Sequence, residues 1–135
     1  MPGVFSKIIA GEIPSYKVAE SENFYAFLDI FPVKEGHTLV VPKKETDYIF
    51  DLDIETYLGL MEFSKKVAKA IESNVSCKRI GIAVVGLEIP HAHVHLIPIQ
   101  HPGDTDFSNQ KLKFSPEEFL NLSKKISETF LYQNS

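Results

Sequence analysis

The sequence predicts an α+β fold in a single domain covering residues 1–135. Two observations point to it. Short runs rich in β-branched and aromatic residues alternate with turn residues through the first hundred positions. Two longer runs, residues 53–73 and the segment that begins at Ser115, instead repeat their apolar residues at helical spacing. A chain of this length buries about two-thirds of its extended surface, enough for one sizeable core.

Residues 4–10, Val-Phe-Ser-Lys-Ile-Ile-Ala, read as a short helix ended by Gly11. Residues 16–20 and 24–30 read as a strand pair joined by the turn-like Ser21-Glu22-Asn23. After a connection over 31–36, residues 37–41 form a β-rich run stopped at Pro42, which lacks the donor a central strand needs. The long helix over 53–73 has Asp51 or Asp53 available as its cap. It carries a core stripe of Tyr57, Leu60, Met61, Val67, Ala68 and Ile71, with Lys65, Lys66 and Lys69 toward solvent. Residues 78–85 and 91–97 read as an antiparallel hairpin around Gly86-Leu-Glu-Ile-Pro90, a connection too short for a parallel crossover. Residues 99–114 are polar and aperiodic. The last helix has the clearest local signature: Ser115 as cap, Pro116 in the first turn, Glu118 closing the capping box, then Phe119, Leu122, Ile126 and Phe130 on one face. Five strands, one long central helix and a C-terminal helix result.

Composition narrows the function. The formal charge of −4 argues against nucleic acid or an anionic membrane as the main partner. Cys77 is the only cysteine, so neither an internal disulfide nor a thiolate cluster is available. No apolar run approaches about 18 residues and no signal peptide is evident, so the expected location is the cytoplasm.

The chemistry centres on His91, His93 and His95 in Glu88-Ile-Pro-His-Ala-His-Val-His-Leu-Ile-Pro98. On a strand, residues two apart share a face, so the three imidazoles emerge together. Such a row fits a metal site or a nucleophile with supporting imidazoles. A single ion cannot easily collect all three, because positions four apart on a strand lie about 13 Å from one another. A three-histidine metal site would need His37 or His101 as well. The nucleophile needs only one unprotonated ring nitrogen, with neighbours that donate to the developing charge.

His91-Ala-His-Val-His-Leu-Ile97 resembles the signature of the histidine triad nucleotide-binding family. Phe5–Pro14, Ala26–Pro32 and Gly36–Lys43 resemble that family's other blocks in the same order. The resemblance implies a five-stranded antiparallel sheet, a two-fold homodimer and a site for purine nucleoside monophosphate conjugates. It implies that His93 is the nucleophile and forms a nucleotidyl intermediate, with no metal or cofactor required. His91 and His95 would hydrogen-bond the phosphate, and His37 would set the hydrogen bonding of the triad. Asp29 would accept from the ribose hydroxyls, and Ile8, Phe27 and Ile30 would surround the base. The implied activity is hydrolysis of phosphoramidates or dinucleoside polyphosphates. A nucleotidyltransferase, or a purine nucleotide-binding protein with weak catalysis, is the alternative. The chain departs from the family's pattern just before the triad, where Leu87 and Glu88 replace the usual polar pair. A carboxylate at Glu88 would repel phosphate or, if protonated, assist the leaving group.

Overall fold

The computed structural model describes residues 2–135. Its elements are α1 (Val4–Ile9), β1 (Lys17–Glu20), β2 (Phe24–Leu28), β3 (Thr38–Pro42), α2 (Ile54–Glu72), β4 (Arg79–Ala83), β5 (Val94–Ile99) and α3 (Pro116–Gln133). Short 3-10 turns, Ile49–Asp51 and Pro102–Thr105, precede α2 and follow β5. The strands form one antiparallel sheet, the five-stranded arrangement that the resemblance implies, in the order β1-β2-β3-β5-β4.

Alternation along the strands divides the core between two faces. Phe24, Ala26 and Leu28 of β2, Val40 of β3, and Val94 and Leu96 of β5 pack with Leu60, Phe63, Val67 and Ile71 of α2 and Phe119, Ile126 and Phe130 of α3. The intervening residues Tyr25, Phe27, Leu39 and Val41 form a second cluster with Phe5 of α1. Strands β2 and β3 are therefore buried on both faces. The second face is covered by only a six-residue helix, which leaves it room for a site.

The helix ends follow their local chemistry. Asp53, rather than Asp51, caps α2 by accepting from Thr56 N at 3.3 Å. At α3, Ser115 Oγ accepts from Glu118 N at 3.1 Å while the Glu118 carboxylate accepts from Ser115 N at 2.8 Å, so both free amides are satisfied by the capping box.

One expectation needs correction. The ladder between β4 and β5 ends at the pair Ala83 and His95. Residues 84–93 are thus the connection, twice the five residues read from the sequence, and β5 begins at Val94 instead of position 91. The reason lies in β3, which pairs with β5 only through Val40 and Val94 and then reaches Pro42, which has no N–H to extend the ladder. Beyond it the segment is tied to the chain after β3 by Ala92 N, which donates to Thr46 O at 2.7 Å. The alternation survives without the ladder, since Ala92 lies in the helix-facing core with Val94 and Leu96.

Candidate active site

The site lies on the α1 face of the sheet, at the ends of β2 and β3 and the start of β5. Gly36 has φ +89, a backbone conformation that glycine adopts without strain. The turn it makes delivers His37 into the interior, 2% exposed. His91 and His93 are 1% and 7% exposed. The rings of His93 and His95 are 4.9 Å apart, and those of His37 and His95 5.2 Å. The four histidines therefore form one connected group. His101 is not part of it: its amide is bound by Asp104 Oδ2, 2.9 Å away, in the following 3-10 turn.

The hydrogen bonds fix where each proton sits. A carbonyl oxygen only accepts. His93 Nδ1 lies 2.6 Å from the oxygen of His91, so Nδ1 carries the proton, and in the neutral ring Nε2 keeps its lone pair. Likewise His91 Nε2 donates to Pro42 O at 2.7 Å. Val33 N donates to His37 Nδ1 at 3.2 Å, so neutral His37 holds its proton on Nε2. That nitrogen donates to His95 Nδ1 at 3.0 Å, which leaves the proton of neutral His95 on its own Nε2. The result is one imidazole with a free lone pair beside one with a free N–H.

Burial keeps His37, His93 and His95 neutral. Desolvation pushes His37 down to about 4, with Lys111 and His93 adding to it. It pushes His95 down to about 3, with His37 and His93 adding and Asp29 opposing. His93 is lowered by the same desolvation, partly offset by its bond to the His91 carbonyl and by the negative charge of Asp29 and Glu88. At neutral pH the site thus presents uncharged nitrogen bases.

Asp29 ends just beyond β2. Its Oδ1 accepts from Phe31 N at 2.8 Å, which fixes the turn before Pro32, while Oδ2 lies 3.6 Å from His37 Nε2. One oxygen thus serves the turn while the other faces the histidine group. Phe27 is buried against Phe5, ring centroids 5.5 Å apart, and Ile8 packs on the same cluster. Ile30 is exposed at 53%. Glu88 is exposed in the connection before the triad, where its charge is felt at His93.

Two aromatic residues at the site escape the sequence reading. Phe5 stands edge-on to His91 and His93, centroids 5.6 and 5.1 Å away. Phe107 lies 4.6 Å from His95 and 6.1 Å from His37. Phe5 reads as an ordinary core residue of a short helix. Phe107 comes from the aperiodic segment after β5, where an aromatic flanked by polar residues is the one available signal.

Asp29, His37 and His95 could be viewed as a metal site, since one ligand atom from each lies within 4.8 Å of the others. The proton positions do not fit this. His37 Nδ1 is occupied by Val33 N–H, so the nitrogen facing Asp29 and His95 bears the proton and has no lone pair to give a cation.

The HIT domain family matches residues 10–101. Among curated relatives, the adenosine 5'-monophosphoramidase hnt1 of Schizosaccharomyces pombe is 34% identical over 131 residues, covering 94% of this chain and 97% of that protein. A histidine triad nucleotide-binding protein from Sulfolobus tokodaii superposes with a TM-score of 0.82 at 31% identity, over 96% of this chain and 93% of its own. A zinc-bound histidine triad family protein from Mycobacterium smegmatis superposes with a TM-score of 0.81 at 26% identity, over 99% of this chain and 96% of its own.

Proposed function

We propose, from the premise that this chain belongs to the HIT domain family, that it hydrolyses purine nucleoside phosphoramidates through a covalent nucleotidyl-histidine at His93. The observation that carries the reading is the 2.6 Å bond from His93 Nδ1 to the His91 carbonyl. It aims the proton away from Nε2, the nitrogen that must attack. The Schizosaccharomyces pombe relative's activity supports the substrate class.

The lone pair of His93 Nε2 attacks the α-phosphorus in line with the leaving nitrogen. The phosphorus–nitrogen bond of the substrate breaks, and its electron pair departs on a nitrogen protonated from solvent, as free amine. His93 becomes an N-phosphorylated imidazolium, its Nδ1 proton still held by the His91 carbonyl. Water then attacks phosphorus, the histidine–phosphorus pair returns to Nε2, and the water's proton goes to solvent. One proton enters and one leaves, and the products are amine and nucleoside monophosphate. His95, neutral with its proton on Nε2, donates to a phosphate oxygen and strengthens that bond as charge grows. Asp29 holds the ribose, while Ile8, Phe27 and Ile30 flank the base. No step needs a metal.

Glu88 separates the candidate substrates. Its charge opposes a second cluster of phosphates more than it opposes a departing amine. Purified protein assayed on adenosine phosphoramidate and on a diadenosine polyphosphate should favour the phosphoramidate in kcat/KM by roughly tenfold or more. Preference for the polyphosphate would move the assignment to that substrate. Tight nucleotide binding with no release from either, or with transfer to an added sugar phosphate, would replace hydrolysis by binding or by transfer.

The proposal extends to a homodimer that works in the cytoplasm as a single-domain unit. No described helix is long and apolar enough to cross a membrane. The sheet edge β4 and the first turns of α2 carry exposed apolar residues, among them Ile82, Ile54 and Leu58, a surface that association would cover. Sedimentation at micromolar concentration should give twice the 15.2 kDa chain mass. A 15.2 kDa species independent of concentration would contradict it.

A further inference from the structure

His91 is the one histidine of the triad with a fully buried ring nitrogen that has no partner. Its Nε2 donates to Pro42, but its Nδ1 is buried without a hydrogen-bond partner. Leaving a buried polar atom this way is destabilising, so the polar groups around it are of interest. One of them is Glu45 Oε1, 4.0 Å away. The same oxygen accepts from Gly3 N at 2.7 Å and from Ser6 Oγ at 2.8 Å. Those two donors hold the carboxyl of Glu45 below its ordinary range.

The contact has been given room. A Cβ at Gly3 would come within 2.9 Å of Glu45 Oε1, so any larger residue there would push the carboxylate off. The neighbouring Thr46 carbonyl accepts from Ala92 N at 2.7 Å, which binds the same segment to the triad a second time. One oxygen thus ties the first turn of α1 to the segment after β3, beside the His91 ring. Between Gly3 and Ser6 stands Phe5, the ring packed edge-on against His91 and His93.

We infer that Glu45 is a positioning residue for the triad: its Oε1 holds the start of α1, and with it Phe5, against His91, and so fixes the His91 carbonyl that orients His93. Glu45 takes no part in the chemistry. Its effect reaches the reacting nitrogen through His91, where small displacements lower the rate without loosening substrate. The inference rests on the reading of His93 as nucleophile.

The test compares Glu45→Ala with Glu45→Gln, on adenosine phosphoramidate and by imidazole nitrogen NMR. The glutamine oxygen still accepts from Gly3 and Ser6, so the tie to α1 is kept. Glu45→Ala should lower kcat about tenfold with KM within about twofold, whereas Glu45→Gln should restore most of it. The His91 ring resonances should move in the alanine variant and stay in the glutamine one, while those of His95 hold. Wild-type kcat with unmoved His91 resonances in Glu45→Ala would overturn the inference, and so would equal losses in both variants. If Glu45→Ala does not melt cooperatively, Ser6→Ala carries the test: a fall in kcat of about threefold at constant KM supports it, and an unchanged kcat overturns it. The NMR arm needs no turnover. A protein inactive on every substrate whose His91 resonances still respond to Glu45 would therefore refute the hydrolase and not the tie.

Discussion

His93→Ala should abolish turnover on adenosine phosphoramidate, by at least about a thousandfold, because the lone pair that attacks phosphorus is removed outright and neither neighbouring imidazole can replace it. His91 Nε2 is committed to Pro42, and His95 keeps its proton on Nε2 through the bond from His37. The fold should survive. The ring lies on the α1 face, outside the principal cluster between sheet and helices, so the far-ultraviolet dichroism should be unchanged. In the wild type the same nitrogen sets the acid side of the pH profile. Protonation removes the lone pair, and desolvation lowers His93 below the ordinary histidine value of 6.5. The acid limb of the rate should therefore have its midpoint below that of an exposed histidine. A variant that keeps half the wild-type turnover would remove His93 from the nucleophile's role.

Gly36→Ala should cost more stability than any surface change. At φ +89 a side chain is strained whatever its surroundings, by about 1–2 kcal/mol. Here the surroundings are also full. The new Cβ would lie 2.9 Å from Val75 Cγ2, 3.1 Å from Pro98 Cγ and 3.5 Å from Ile71 Cγ2. Val75 is buried just after α2 and Pro98 belongs to β5, so neither can give way freely. Overpacking of this kind adds roughly 1–3 kcal/mol. The two together predict a loss of about 2–5 kcal/mol in urea unfolding. Activity should fall with it, since the strain is placed next to His37, whose proton determines that of His95. A loss under about 0.5 kcal/mol, the range of ordinary surface substitutions, would contradict this account of the turn.

How far the sequence carries depends on where each residue's partners lie. Ser115, Pro116 and Glu118 define the start of α3 within four residues, and the helix begins there. Asp53 also acts within three residues, but the sequence leaves it level with Asp51 until the structure shows which one accepts from Thr56 N. The histidine row is legible in its alternation but not in its ladder. Strand pairing depends on β3, about fifty residues away, and Pro42 ends what β3 can offer. His37 became legible through family resemblance alone, because composition cannot distinguish a buried histidine after a glycine from an exposed one. Glu45 follows Lys43 and Lys44 and reads as surface charge. Its partners Gly3 and Ser6 are 42 and 39 residues away, and its proximity to His91 exists only after folding. Phe107 is hidden for the same reason. What the sequence misses is therefore the set of residues that support the triad, while the triad itself is written in a local pattern.

The covalent intermediate is the central claim, and rapid quenching tests it most directly. Wild-type protein mixed with adenosine phosphoramidate and stopped in base, where a phosphorus–nitrogen bond to histidine survives, should gain the mass of one adenylyl group per active site. Peptide mapping should place the group on His93. The same treatment of His93→Ala should give no adduct. Turnover without any adduct at early times, or an adduct on another residue, would contradict the account.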